Sequence, residues 1–232
     1  MRALHRPLFR TLATLPSAAQ RAARFSDYMT KNFRLDHPEE AGLEAGASET
    51  RHKADYLRLL RGWFFSADGR EGAVFKGWVE SRFGLLACSH DGPLEDPDSE
   101  RYHRYLAARA QGLYNTNALE GQLDLLFTYC QYELHQRHPN HQHVTLYRGI
   151  NRLRDHQLLP LPHHDRTILL LNSLNSFTAN RDRAGEFGDT LLEGVIPLAK
   201  IVYFPDLLPK RMGGEEEFLV LGGMYEMHVG YW

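Results

Sequence analysis

The chain has 232 residues, of which 43% are hydrophobic and 24% charged, and its formal net charge is -2. This apolar content is enough to form the core of one large domain or two small ones. The near balance of charges gives no general electrostatic reason to bind nucleic acid or an anionic membrane, and no apolar run approaches the length of about 18 residues that a membrane span requires. Cys88 and Cys130 are too few for a disulfide framework, so a reducing cytoplasm is the expected compartment.

The first 26 residues combine five arginines with no acidic residue. Mitochondrial targeting segments share this composition, and so do basic surface helices. The apolar residues of the region recur at helical spacing: Leu4, Leu8, Leu12, Leu15, Phe25 and Tyr28. This spacing favours a folded helix with a break at Pro16.

Helical periodicity continues to about His135. Four amphipathic stretches are predicted as helices, over residues 56–64, 74–83, 102–110 and 119–134. Residues 67–70 are typical of a turn, 89–99 of an exposed acidic loop, and 115–117 supply polar N-cap candidates for the fourth helix.

After Pro139 the pattern changes to short apolar runs bounded by Gly, Pro, Asn or Asp. Strands are predicted over residues 144–147, 168–171, 176–178, 191–196, 201–204, 217–221 and 225–229, with one short helix around 183–187. Helices first and strands second indicate an α+β protein, because alternating βαβ units would interleave the two. We expect a helical region over 1–138, packed on a strand-rich core over 139–232, in one compact unit.

Two segments of the strand-rich half place polar side chains in or after apolar runs. Arg148 follows one predicted strand and precedes Gly149. Ser176 and Thr178 are separated by one residue, so their hydroxyls face the same side of a strand. Each feature alone has an ordinary explanation, a solvated arginine in one case and a polar strand face in the other.

A third segment has three consecutive glutamates, Glu215, Glu216 and Glu217, after two glycines. Side-chain alternation puts Glu215 and Glu217 on one side of the strand and Glu216 on the other. Two neighbouring carboxylates can divide a charged role and a proton-accepting role between them. A solvated acidic turn is the ordinary alternative.

In this order the three segments resemble the Arg, Ser-x-Thr/Ser and Glu-x-Glu pattern of arginine-modifying ADP-ribosyltransferases. The sequence between the three segments also resembles that family. A helix ending in Glu186-Phe187-Gly188 resembles its phosphate–nicotinamide loop, and residues 205–214 resemble its substrate-recognition loop. Residues 54–63, 68–85 and 112–120 resemble the dinitrogenase reductase ADP-ribosyltransferase family within that class.

The resemblance implies a mixed β-sandwich ADP-ribosyltransferase core and an enzyme of the bacterial cytoplasm. Its expected reaction moves ADP-ribose from NAD to an arginine of dinitrogenase reductase, the nitrogenase iron protein, and reversibly inactivates nitrogen fixation. NAD is then a substrate, no metal is expected, and a PII signalling protein is a further candidate partner. The alternatives are a transferase toxin or conflict enzyme with another protein target, and a non-catalytic NAD-binding module.

The resemblance also assigns roles to the acidic and hydroxyl residues. Glu217 would stabilise the positive charge that develops on the ribose and hold its 2′-hydroxyl. Glu215 would orient the target arginine and take its proton, which a guanidinium otherwise keeps. Ser176 would position Glu217, and Thr178 would support the strand.

The remaining roles concern the rest of NAD. Arg148 would bind the phosphates, and the backbone of Gly149 would bond the nicotinamide amide. Phe187 is expected either to stack on the nicotinamide or to be a buried core residue. Arg181 and Arg183 are candidates for a further phosphate contact, although a surface charge is the simpler interpretation of each.

Four histidines fall within nine residues: His135, His138, His141 and His143. His163, His164 and Asp165 follow. A metal site is one interpretation, but the cluster spans the end of a helix and the start of a strand and has no cysteine beside it. These features favour a solvated linker.

Overall fold

Residues 1–36, 55–89, 92–94, 96–113, 118–151, 153, 156–160, 166–209 and 216–231 are described by the structure, a computed structural model. The chain divides into two compact units. The first comprises Met1–Trp78, Asp96–Tyr129 and Asp206–Gly214, and the second Val79–Glu95, Cys130–Pro205 and Glu215–Trp232. The domain boundary expected near residue 138 stays a prediction.

Seven helices lie within the described residues: α1 (Arg6–Thr14), α2 (Ala18–Phe33), α3 (Tyr56–Phe65), α4 (Arg70–Phe83), α5 (Glu100–Gly112), α6 (Leu119–Arg137) and α7 (Arg181–Gly185). The four amphipathic stretches predicted as helices are confirmed by α3 to α6. The N-terminal helix is confirmed as well, as two helices that bury Leu8, Leu12 and Phe25 and break around Pro16.

The helix starts follow the chemistry of capping residues. Ser17 and Gln20 form a reciprocal capping box at the start of α2. At the start of α3 the Asp55 side chain accepts a hydrogen bond from the Arg58 backbone N–H at 2.7 Å. At the start of α5 the Ser99 side chain accepts one from the Tyr102 backbone N–H at 3.2 Å. The caps predicted for α6 at residues 115–117 lie outside the described residues.

An aromatic cluster forms the centre of the first unit. Phe25 stacks on Tyr129 with ring centroids 4.0 Å apart and meets the edge of Tyr56 at 6.2 Å. All three rings are buried. The backbone N–H of Tyr56 donates to the Gln122 side-chain oxygen at 3.0 Å, so the buried amide of Gln122 has a hydrogen-bond partner in this apolar region.

The strands of the described residues are β1 (Cys88–Ser89), β2 (Gly92–Pro93), β3 (His143–Ile150), β4 (Gln157–Pro160), β5 (Arg166–Thr178), β6 (Thr190–Pro197), β7 (Ile201–Tyr203) and β8 (Glu217–Tyr231). β1 and β2 form a small hairpin, and the other six make one sheet in the order β4-β5-β3-β6-β8-β7. An additional β5–β8 pairing closes a ring of four strands, β5, β3, β6 and β8.

The α+β class with the helical half first is confirmed. The expected mixed pairing is corrected, because every pairing among the described strands is antiparallel. The sequence also missed β4 and the antiparallel pair of β1 and β2, three of whose four residues fall in the loop predicted over 89–99.

Four of the predicted strands join in pairs. The runs at 168–171 and 176–178 form the single strand β5, and those at 217–221 and 225–229 form β8. A register shift between Leu171 and Leu174 lets β5 continue. On β8, a side chain at Gly222 would lie 2.4 Å from the Leu171 carbonyl oxygen, so this glycine between the two predicted runs allows close strand contact.

Cys88 and Cys130 are both free thiols. Burial raises the pKa of the Cys130 thiol, whose Sγ donates to the Ile201 carbonyl oxygen at 3.4 Å. None of the helices that the structure describes combines the length and the apolar character that crossing a membrane requires.

Candidate active site

Arg148 lies near the end of β3 and reaches toward β5. Its Nη1 donates to the Ser176 carbonyl oxygen at 2.8 Å, and its guanidinium carbon is 6.0 Å from the centroid of the Phe177 ring. The buried Nε has no hydrogen-bond partner among the described residues. Burial lowers the pKa of Arg148, and the charge of Glu217 opposes that shift. The second unit therefore holds a guanidinium whose buried Nε–H meets no acceptor among the described residues.

Glu217 begins β8, directly opposite Thr178 on β5. Thr178 in turn is opposite Tyr147 on β3. Tyr147, Thr178 and Glu217 therefore form one row across β3, β5 and β8. Ser176 is opposite Leu219, which places it diagonally from Glu217 on the same side of the strand pair. Diagonal neighbours are within reach of a long side chain. The predicted pair of hydroxyls and the predicted carboxylate thus share one side of the β5–β8 pair.

The two hydroxyl residues have different surroundings. Thr178 is buried, and its Oγ1 accepts a hydrogen bond from the Asn180 backbone N–H at 3.1 Å. Ser176 is half-buried. The Thr178 hydroxyl serves the turn that follows β5 as an acceptor. The role predicted for Ser176, positioning Glu217, stays a prediction.

Asn180 caps the helix that precedes Phe187, a role that the sequence interpretation did not assign. Its Oδ1 accepts from the backbone N–H groups of Asp182 at 3.0 Å and Arg183 at 3.2 Å, which starts α7. An asparagine just after a strand and before charged residues is a typical helix cap, so the signal was present in the sequence.

Gly149 follows Arg148 on β3 and packs against α7. A side chain at Gly149 would lie 2.0 Å from the Ala184 carbonyl oxygen, closer than any real contact. The role predicted for its backbone, bonding the nicotinamide amide, stays a prediction. The observed packing gives an independent reason why only glycine fits here.

Phe187 follows α7 and is 61% exposed, so the alternative of a buried core residue is wrong. The Arg183 guanidinium lies over its ring at 5.5 Å and pairs with Glu186. Arg181 and Arg183 are both exposed, consistent with surface charges. An exposed aromatic ring near the end of β3 is available to stack on a planar ligand.

The three glutamates are described only in part. Glu215 lies outside the described residues, as do Gly213 and Gly214. Glu216 is exposed and Glu217 is half-buried. The arrangement of the two alternating carboxylates therefore stays a prediction.

The histidine cluster joins α6 to β3. His135 is in the last turn of α6, and His143 begins β3. The rings of His138 and His141, between these elements, are 6.3 Å apart. Within the part of the chain that the structure describes, no group of three or more His, Cys, Asp and Glu side chains is placed to hold a metal ion. His163, His164 and Asp165 lie outside that part.

A guanidinium, a hydroxyl and a carboxylate lie on three neighbouring strands. The guanidinium suits an anionic group of a ligand, and the carboxylate suits a part of the ligand on which positive charge develops. The family model described as Dinitrogenase reductase ADP-ribosyltransferase (DRAT) matches residues 1–229. The chain belongs to the dinitrogenase reductase ADP-ribosyltransferase family. A relative from Rhodospirillum rubrum, NAD(+)--dinitrogen-reductase ADP-D-ribosyltransferase, is 37% identical over 235 aligned positions, which cover 100% of this chain and 85% of the relative. No solved structure matches the chain.

The family resemblance inferred from the sequence is confirmed by these matches, which extend through both units. The residues that resembled the motifs of ADP-ribosyltransferases lie together in the second unit of this family member. Arg148 is on β3, Ser176 on β5 and Glu217 on β8. The catalytic and binding roles of these residues stay predictions.

Proposed function

We propose that this chain transfers ADP-ribose from NAD to an arginine of dinitrogenase reductase and releases nicotinamide. Family membership and the name of the R. rubrum relative support the reaction and the protein substrate. The structural observation that carries the proposal is the meeting of β3, β5 and β8 beside Glu217, where the Arg148 Nη1 bonds the Ser176 carbonyl oxygen. The buried Arg148 Nε has no partner among the described residues.

The reaction breaks the bond between ribose and nicotinamide, and positive charge builds on the ribose as it breaks, as in glycoside cleavage. A fixed carboxylate stabilises that charge better than water does, because it needs no reorganisation during the step. Glu217 has this role in our proposal. It lies at the end of a paired strand, opposite Thr178 and diagonal to Ser176, so its position is set by the sheet.

Arg148 binds the diphosphate of NAD in this proposal. Its Nη1 is already fixed on the Ser176 carbonyl oxygen, and the buried Nε can donate to a phosphate oxygen. A guanidinium held in one orientation suits a phosphate, because its N–H groups form a planar fork. The exposed ring of Phe187 then stacks on the nicotinamide, and the backbone of Gly149 bonds its amide.

Glu215 completes the proposed chemistry on the side of the protein substrate. The target guanidinium is protonated at neutral pH and is a poor nucleophile until a base takes its proton. We expect Glu215→Gln to lose transfer to arginine but to keep slow NAD hydrolysis, measured as nicotinamide release with and without the protein substrate. Equal loss of both activities would contradict a role directed at the substrate.

The partners and location of the proposed enzyme follow from its substrate. Dinitrogenase reductase is the protein partner, and modification of its arginine reversibly inactivates nitrogen fixation. A PII signalling protein as regulator and a bacterial cytoplasmic location, which the family resemblance suggested, belong to the same proposal. NAD is a substrate in this scheme, and the chemistry of the transfer needs no metal.

The decisive test incubates the purified chain with labelled NAD and dinitrogenase reductase, with and without MgADP, and measures the intact mass of the product. We expect one added ADP-ribose. Glu217→Gln should lower the transfer rate by roughly 10²- to 10³-fold, the cost of removing one preorganised electrostatic group, while NAD still binds.

Three outcomes separate the alternatives. Full activity of Glu217→Gln would contradict the assigned role of that residue. NAD hydrolysis or modification of free arginine analogues, without transfer to dinitrogenase reductase, would indicate a transferase with another protein target. NAD binding with neither transfer nor hydrolysis would indicate a non-catalytic module.

A further inference from the structure

Two glycines make reciprocal backbone contacts between β3 and the segment that contains α7. Gly149 on β3 lies against the Ala184 carbonyl oxygen of α7, where an added Cβ would be 2.0 Å away. Gly188, just after α7, lies against the backbone of Ile150, where an added Cβ would be 2.3 Å from the carbonyl carbon and 2.4 Å from the oxygen. Each element therefore contributes one glycine and one backbone surface to the contact.

The other end of the segment is tied to β5. The Thr178 hydroxyl accepts from the Asn180 N–H at 3.1 Å, and the Asn180 carbonyl accepts from the Ala184 N–H at 3.2 Å. The Ala184 carbonyl in turn accepts from the Phe187 N–H at 3.1 Å. Residues 179–188 are thus held at their start by β5 and at their end by β3.

This attachment matters because of what the segment carries. Ala184 is 1% exposed, so the side of α7 that faces the sheet is fully packed, whereas Phe187 three residues later is 61% exposed. An exposed ring on a loose loop would lose conformational freedom on binding a ligand, and that loss weakens affinity. A ring on a segment held at both ends has lost most of that freedom in advance.

We propose that Gly149 and Gly188 form a backbone clamp that fixes residues 179–188 and positions the Phe187 ring for the nicotinamide of NAD. Gly188 is a positioning residue, since it acts through Phe187 and need not touch the ligand. Gly149 adds the same packing role to the backbone bond that we propose for it with the nicotinamide amide. The inference rests on the proposed function, because it takes NAD as the ligand that Phe187 meets.

The first test is Gly188→Ala, because its added methyl group must displace either the segment or β3. We expect the KM for NAD to rise by roughly 10- to 100-fold, since a shift of about 1 Å in a positioning group has effects of that size. The KM for the protein substrate should stay unchanged. Gly230→Ala is the matched control, because a Cβ at Gly230, on β8 of the same unit, would meet nothing within 4 Å.

A double-mutant cycle separates the clamp from a general structural role. Phe187 is exposed, so Phe187→Ala removes the ring without opening the core. If the clamp acts through the ring, Gly188→Ala raises the KM for NAD by less than about twofold when Phe187 is already alanine, because the two changes remove the same interaction. Additive effects, or an unchanged KM in the single Gly188→Ala variant, would overturn the proposal.

Amide hydrogen exchange of the full chain without NAD tests the clamp independently of activity. Exchange in residues 179–188 should speed up in Gly188→Ala and stay as in the wild type in Gly230→Ala. Unchanged exchange in Gly188→Ala contradicts the clamp. If the wild type neither binds nor cleaves NAD, the proposed function fails, while the exchange rates still decide whether the two glycines hold the segment.

Discussion

Two phenylalanines, one in each unit, lie in opposite surroundings. In the first unit Phe25 is fully buried and stacks on Tyr129 at 4.0 Å. In the second unit Phe187 is 61% exposed, with the Arg183 guanidinium over its ring. A buried aromatic side chain contributes to the stability of the fold, whereas an exposed one on a packed segment is available to a ligand. The comparison separates residues that maintain the protein from residues that we expect to serve its reaction.

Three polar side chains of the two units also differ in their partners. In the first unit the Trp78 Nε1 donates to Asp124 at 2.8 Å, and Lys76 pairs with Asp68. In the second unit Arg148 has one nitrogen bonded to a backbone carbonyl and a buried Nε without a partner among the described residues. A buried N–H without an acceptor is costly, so we expect the Arg148 Nε to donate to the ligand that we propose for this site.

The largest expected effect is on the stability of the first unit. Phe25→Ala should lower the free energy of unfolding by about 3–5 kcal/mol, since it opens a cavity beneath Tyr129 and Tyr56. Urea unfolding measures this loss, and transfer activity per folded molecule should be unchanged. Phe65→Ala is the matched control in the same unit, because Phe65 is 94% exposed and its removal should cost little. Equal losses in the two variants would break the comparison.

The second prediction concerns Arg148→Lys in the second unit. Lysine keeps the charge but lacks the planar fork that bonds the Ser176 carbonyl and a phosphate together, so the KM for NAD should rise by roughly 10- to 100-fold. Initial rates at varied NAD concentrations measure it. Arg166→Lys on β5, whose exposed side chain pairs with Glu226, should leave that KM unchanged. An unaltered KM in Arg148→Lys would remove Arg148 from the NAD site.

The smallest expected effect is a pH dependence of stability from His5. Its Nδ1 is 3.0 Å from the Tyr28 hydroxyl, and burial, followed by the charge of the N-terminus, lowers its pKa from the ordinary value of 6.5. Because the folded pKa is the lower one, the folded state disfavours protonation. The stability from neutral His5 is therefore present above pH 6.5 and is lost as the pH falls through the folded pKa.

Urea unfolding at about pH 7.5 and about pH 5.5 tests that sign, since histidine titrates between them. The wild type should lose more stability between these conditions than His5→Gln does. His103→Gln, an exposed histidine of α5, is the control and should follow the wild type. A wild type that gains stability toward the lower pH, relative to His5→Gln, would contradict the direction of the shift.

Much of the fold was predictable because its signals are local. Helical spacing identified α3 to α6, and short apolar runs identified β3, β6 and β7. The family was predictable for a different reason: the three polar motifs keep their order and spacing along the chain, whatever their arrangement in space. Asn180 was missed although its cap signal was local, and β4 was missed because nothing in its own four residues indicates a partner.

The sequence by itself determined the class of the protein, its family and the residues that carry the proposed chemistry. Only the tertiary structure decided that Thr178, not Ser176, lies opposite Glu217, and that the glycine pair between two predicted strands lies within the single strand β8. It also decided that Phe187 is exposed and that Gly149 and Gly188 lie in close backbone contact with α7 and β3. Strand register, burial and close backbone contact depend on residues far apart in the chain, and no local spacing encodes them.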